Sequence, residues 1–205
     1  DLIGKGTVTF DEHISGAYAE IIRYSFKSKT REEILQYLFN LQKKSYNGLQ
    51  KKNFKVEGLE LQSGPLTFSL TAEEKDLTSI YFDGRQKLQM SINDVVSFMQ
   101  FPKSSQYDYR RDFLYGYRKT MEYVFPDGYE ITENNLRNFS KENEYLYFHF
   151  IPEKLSENHF TIETEVRLKK RIIKKDDLSR LDQFIQAVVA NSNYELILEN
   201  RGSFQ

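Results

Sequence analysis

Tyrosine and arginine interleave in the stretch QYDYRRDFLYGYR, residues 106–118. Phenol rings offer apolar faces and guanidinium forks offer planar donors, so the composition suits stacking on sugar rings or contact with another protein. Tyr107, Tyr109, Arg110, Arg111, Tyr115 and Tyr117 are the candidate ligand- or partner-binding residues. A plainer reading of the same run is cross-strand tyrosine packing, with charges paired among Asp108, Arg110, Arg111 and Asp112. The plainer reading is the more economical one.

The remaining reactive side chains make weaker patterns. None of His13, His149 and His159 has an i,i+4 helical partner or the carboxylate spacing of a metal site. His13 and His159 are expected in turns, and His149 in a strand, facing away from Phe148 and Phe150. No serine sits in a G-x-S-x-G or S-x-x-K frame. The GKG at residues 4–6 is too short for a phosphate loop. Glu73-Glu74 and the Glu163/Glu165 pair read as solvating charges on strand surfaces. There is no cysteine, which removes thiol catalysis, disulfides and thiolate metal sites from this chain. No catalytic residue, metal or cofactor is expected.

The elements that must hold these residues follow from composition and periodicity. The chain has 205 residues, 39% hydrophobic and 29% charged, and its 16 Phe and 14 Tyr make up for a modest aliphatic content. That length supports one generous core or two small ones. A formal net charge of −1 supplies no field to steer a polyanion, so nucleic acid is not an expected partner. The basic runs Lys169-Lys170-Arg171 and Lys174-Lys175 are followed at once by Asp176 and Asp177. No stretch approaches the roughly 20 apolar residues of a membrane span, and no signal peptide is visible at the start. The chain opens at Asp1-Leu2-Ile3 without methionine, the beginning expected of a mature form or a fragment of something longer.

Period-2 alternation predicts strands through most of the chain. The first segment reads as two strands, the second running through Ala17, Ala19 and Ile21 after a turn at residues 13–16. A helix is predicted over about residues 30–46. Thr30 and Glu33 have capping-box spacing, Ile34, Leu38 and Leu41 form its stripe with Leu35 and Phe39 beside it, and Asn47-Gly48 forms its stop. Strands follow in FKVEGLELQ, LTFSLTAEE, LTSIYFDG and KLQMSI, with turns at Ser63-Gly64-Pro65 and Asp83-Gly84. Residues 97–106 read as a connection that contains Phe98, Met99 and Phe101. Further strands are predicted near residues 116–125, 129–132, 145–151 and 159–171. In the last, Phe160, Ile162, Thr164, Val166 and Leu168 face inward. A helix over about residues 177–191 and the strand YELILEN complete the chain.

The expected fold class is mainly β with some α: antiparallel, sandwich-like sheets and two amphipathic helices. Residues 1–100 and 105–205 form either two subdomains or two halves of one core. In VFPDGYEI, Pro126 is expected at the second position of a tight turn, with Gly128 at positive φ.

Four segments in order, GKGTVTF…SGAYAEIIRYSF, YDYRRDF…YRKTMEYVFPDGYEI, NHFTIETEVRLKKRIIKKDDLSRLDQFIQAV and YELILE, carry a resemblance. The chain resembles the C-terminal β-domain that follows transglutaminase-like domains in large exported bacterial proteins. The resemblance implies a non-catalytic accessory module, periplasmic or at the cell surface, whose partner is the preceding domain or another protein. A carbohydrate- or cell-wall-binding module, with a glycan as ligand, is the alternative.

Overall fold

The protein is described by a computed structural model over residues 5–43, 50–74, 77–80, 85–91, 95, 99–134, 137–191 and 193–200. In chain order the elements are β1 (Gly6–Gly16), α1 (Ala17–Phe26), α2 (Arg31–Lys43), β2 (Gln50–Glu57), β3 (Leu66–Glu74), β4 (Ser79–Ile80) and β5 (Gln86–Ser91). There follow β6 (Tyr109–Arg110), β7 (Tyr115–Val124), β8 (Tyr129–Asn134), β9 (Phe139–Glu142), β10 (Leu146–Ser156) and β11 (His159–Leu168). After β12 (Ile172–Ile173), a single 3-10 turn (Lys175–Asp177) leads into α3 (Leu178–Ala190), and β13 (Asn193–Asn200) is last.

Seven strands form one antiparallel sheet in the order β2-β3-β1-β7-β11-β10-β9. A second sheet runs β4-β5-β13-β8, and β6 pairs with β12 alone. Neither large sheet closes into a barrel. The mainly antiparallel β class expected from the alternation is therefore found. Strands from either side of residues 99–106 lie in both large sheets, and a single core cluster takes residues from both halves.

That core is aromatic. Phe10, Tyr123, Phe148, Phe150 and Phe160 are all essentially inaccessible, and burying such a ring is worth roughly 1.5–3 kcal/mol. β11 shows the logic in one strand: Phe160, Ile162, Thr164, Val166 and Leu168 all point inward, as their alternation requires. The opposite face of the seven-stranded sheet is polar and open, with Lys55, Glu57, His13, Arg118, Ile151 and Arg167 exposed across it.

The first segment departs from expectation. β1 runs unbroken to Gly16, and residues 17–26 are the helix α1, not a second strand. Gly16 ends the strand at φ 71, where a Cβ would lie 2.8 Å from the Leu114 carbonyl oxygen. Ala19, Arg23 and Phe26 are the buried positions, a helical i, i+4, i+7 stripe that outweighs the short alternation read from Ala17, Ala19 and Ile21. α2 begins where its capping box predicts. The Glu33 amide donates to Thr30 Oγ1 at 3.2 Å and the Thr30 amide to Glu33 Oε2 at 2.7 Å. The Thr30 amide first, and then the Thr30 hydroxyl, hold the Glu33 carboxyl below its ordinary pKa. The expected stop at Asn47-Gly48, the Asp83-Gly84 turn, Phe98 and the Leu41 side chain lie outside the described residues.

The PDG corner joins the two large sheets, carrying the chain from β7 in one to β8 in the other. The Tyr129 amide donates to the Pro126 carbonyl at 3.3 Å, so Pro126 occupies the first turn position, not the second, and Gly128 takes φ 90. The β10–β11 hairpin braces it. Asn158 Nδ2 donates to the Phe125 carbonyl at 2.9 Å, and Lys154 Nζ to the Ile131 carbonyl at 2.8 Å.

Candidate functional site

The Tyr/Arg stretch is divided by the fold. Tyr115 and Tyr117 lie on the inward face of β7 at 6% and 4% exposure, so both side chains pack in the core. Burial is the main cause that pushes the Tyr115 phenol up to about 12, with nearby Arg111 opposing it. Tyr107 is exposed and Arg110 sits at the surface of β6 opposite Ile172. Tyr109 and Arg111 come together, and Phe101 joins them. The Arg111 guanidinium lies 4.7 Å from the Phe101 ring centroid and 5.7 Å from that of Tyr109, while the two rings meet edge to face at 5.9 Å.

This group acts as a clasp. Arg111 donates from its side chain to the Gln100 carbonyl and from its amide to the Arg171 carbonyl at 2.8 Å. The Lys175 amide donates to Asp108 Oδ1 at 3.0 Å. The stretch therefore ties the connection at residues 99–106 to the β6–β12 pair and the start of α3. The charge pairs expected among Asp108, Arg110, Arg111 and Asp112 do not form among the described residues.

A second cluster lies on the open face of the large sheet. There β-sheet register, not sequence proximity, assembles the side chains: His149 stands opposite Glu165, Glu165 opposite Arg118, and Arg118 opposite His13. His149 lies 2.8 Å through Nδ1 from the Tyr147 hydroxyl and 3.0 Å through Nε2 from Glu163 Oε1, with Glu165 Oε2 at 3.9 Å. Arg118 pairs with Glu163 and Arg167 with Glu165. The Arg167 guanidinium also lies 5.4 Å from the Tyr147 ring centroid, and its pKa is raised first by the Glu165 hydrogen bond. Next along the face, His159 Nε2 meets Glu122 Oε1 at 2.6 Å, and His13 Nδ1 meets Thr67 Oγ1 at 3.2 Å.

These contacts revise three expectations. His13 lies inside β1 and His159 begins β11, so neither is in a turn. Glu165 is only 8% exposed and is ion-paired, unlike a solvating surface charge. His149 does face away from Phe148 and Phe150, as alternation requires. Its partners Glu163 and Glu165 are neighbours because β10 and β11 pair as one hairpin, and Arg118 joins them from β7.

Chemically, the face offers guanidinium, carboxylate, imidazole and hydroxyl groups already oriented by one another. Among the described residues no group of three or more His, Asp or Glu side chains is arranged to hold a metal ion. Beside the cluster, Gly116 leaves a notch of about 220 Å³ lined by His13, Ser15, Arg118 and Glu165.

The family described as a domain of unknown function with a solved structure, DUF3858, matches residues 86–198. That span runs from β5 into β13 and includes the Tyr/Arg clasp and the hairpin that carries His149, Glu163 and Glu165. No curated protein and no solved structure matches the chain. With more than half of its length matched, the chain belongs to the DUF3858 family of domains of unknown function.

Proposed function

We propose that the chain is a non-catalytic accessory module of an exported bacterial protein, periplasmic or at the cell surface, that packs against or positions a transglutaminase-like domain. The observation that carries this reading is the open face of the seven-stranded sheet, where Arg118 and Arg167 are already ion-paired with Glu163 and Glu165. A broad, polar, self-paired surface suits contact between domains, where interfaces are more polar than cores. The resemblance carried by the motif order of the sequence supports a transglutaminase-like neighbour. The chain has no cysteine, so a thiol nucleophile for acyl transfer belongs to that neighbour. The test is the reading frame upstream of Asp1. A papain-type Cys and His encoded there support the reading, and a frame without them overturns it.

A second reading is favoured by the Gly116 notch. Arg118, Glu165, His13 and Ser15 are the kinds of group that hydrogen-bond sugar hydroxyls, and the notch is of the order of one pyranose ring. Tyr117 also lines it, from the inward side of β7. Glycan-array binding by the intact chain, lost in Arg118→Ala, is the expected result under this reading. Binding that survives Arg118→Ala, or no binding at all, rules it out.

A further inference from the structure

A groove of about 790 Å³ runs between α1, the start of α2 and the segment that follows β2. Its floor is apolar, built from Phe26 and Ile34, both buried, with Leu59 packed against the core. Its rim carries two large exposed apolar side chains, Tyr24 at 80% exposure and Leu61 at 49%. Isolated exposed apolar residues need no explanation, but two beside an apolar floor mark a contact surface.

The wall is rigidly made. Arg23, on α1, is buried and donates through Nε to the Gly58 carbonyl at 2.7 Å. One terminal nitrogen reaches the Gly64 and Pro65 carbonyls at 2.8 and 3.0 Å, and the other reaches Glu20 at 2.7 Å. Three of these bonds tie α1 to the segment that follows β2, so two sides of the groove are joined at Arg23.

Its charge is lopsided. Arg23 and Glu20 pair with each other, which leaves Lys27, Lys29 and Arg31 set against Glu60 along the lining, with Glu33 beside Lys29. A cationic rim over an apolar floor is complementary to an acidic segment that carries a bulky apolar side chain. We infer that this groove binds an acidic peptide segment of a partner, with one Leu, Ile, Phe or Tyr seated over Phe26, Ile34 and Leu59 and its carboxylates against Lys27, Lys29 and Arg31. The inference deepens the interaction-module reading, but it uses a different surface from the sheet face.

The probe is a displayed library of random peptides about twelve residues long, roughly the number an extended chain needs to cross such a groove. It is selected on the intact chain at moderate salt. The expected winners are acidic and carry at least one large apolar residue. Lys27→Glu and Leu61→Asp should each weaken them about tenfold, while Arg118→Glu on the sheet face leaves them unchanged. All three positions are exposed or half-exposed, and circular dichroism confirms that each variant folds. Basic or neutral winners, no winners, or winners indifferent to both groove substitutions overturn the inference. So does a dimer in sedimentation that Leu61→Asp dissolves, which would assign the groove to a second copy. Binding to phosphatidylglycerol vesicles that Lys27→Glu abolishes, with no acidic peptide selected, would assign it to a membrane surface instead. An upstream reading frame without a papain-type Cys and His, with acidic winners still selected, would overturn the accessory-module reading alone and leave the groove assignment standing.

Discussion

Arg23 Nε donates to the Gly58 carbonyl at 2.7 Å, joining α1 to the turn that leaves β2. The same guanidinium serves the Gly64 and Pro65 carbonyls and the Glu20 carboxylate. Removing it leaves several acceptors without their donor, one of them fully inside. Arg23→Ala is therefore expected to cost about 2–4 kcal/mol, because a buried polar group left unpaired loses about 1–3 kcal/mol and charged hydrogen bonds sit at the upper end. Arg23→Lys should recover only part of this, since an ammonium on a thin stem lacks the planar fork. Urea unfolding of the three proteins measures it, and an alanine variant within about 0.5 kcal/mol of the parent would show that the bonds do not hold the turn.

The same turn separates two glycines that look alike in sequence. Gly58 and Gly64 both have positive φ, 84 and 105. A Cβ on Gly58 would stand 2.5 Å from the Pro65 carbonyl oxygen, whereas one on Gly64 meets nothing within 4 Å. Gly64→Ala should therefore cost only backbone strain, about 1–2 kcal/mol. Gly58→Ala should cost clearly more, since backbone must move as well. Melting temperatures of the two variants decide it. Equal losses would mean that the Pro65 segment yields freely.

On the inward face, Lys119 Nζ lies 3.4 Å from Glu12 Oε1 with side-chain exposures of 5% and 14%, and 5.1 Å from the Phe10 ring centroid. Taking a close cation away from a largely buried carboxylate is expensive. Lys119→Ala is expected to cost about 3–5 kcal/mol, and Glu12→Leu combined with Lys119→Met to restore most of it. Denaturant unfolding of the single and double variants gives the coupling. Additive losses would show that the two charges do not stabilise one another.

How much of this was legible depended on whether a segment's signal was local. β11 and α3 each carry an unbroken pattern over ten or more residues; α3 is found within a residue of its expected bounds at each end, and β11 starts where expected but ends at Leu168, short of residue 171. The Thr30–Glu33 capping box located the start of α2 because its bonds join residues three apart. α1 was misread because Ala17, Ala19 and Ile21 alternate over too short a span to separate period 2 from period 3.6. β9 offers only FSKE, and β6 and β12 are two residues each, so no periodicity exists to detect. The sheet-face cluster was hidden for another reason. Arg118 meets Glu163 only because β7 pairs with β11, a register between strands 45 residues apart. The burial of Tyr115 and Tyr117 was within reach, since they alternate with Met121 and Tyr123 on one face.

The clasp at Arg111 is expected to be structural in effect. Its guanidinium spans the Phe101 and Tyr109 rings and holds the Gln100 carbonyl. Arg111→Ala should expose residues 100–107 to limited proteolysis while leaving the sheets intact, with a loss of about 1–2 kcal/mol from the ring contacts and one charged hydrogen bond. Cleavage rates unchanged from the parent would remove the clasp and return Arg111 to the list of free ligand contacts.

Two phenols give the protein a defined weakness at high pH. Tyr145 donates to Asp177 Oδ2 at 2.6 Å, and its pKa is pushed up to about 12, first by burial and then by that hydrogen bond. Tyr115 is likewise pushed up to about 12 from 10.0, mainly by burial. In the unfolded chain each phenol ionises near 10. Between about pH 10 and pH 12 the unfolded state therefore holds fewer protons than the fold, and stability must fall as pH rises through that window. Below about pH 10 both phenols are neutral in both states, and the contribution is fully present. Lysines also titrate there, so the diagnostic is a difference. Urea midpoints followed from about pH 9 to pH 12 should fall less steeply for Tyr115→Phe/Tyr145→Phe than for the parent, after allowance for the loss of the Asp177 bond at neutral pH. Parallel declines would show that neither phenol is held neutral by the fold.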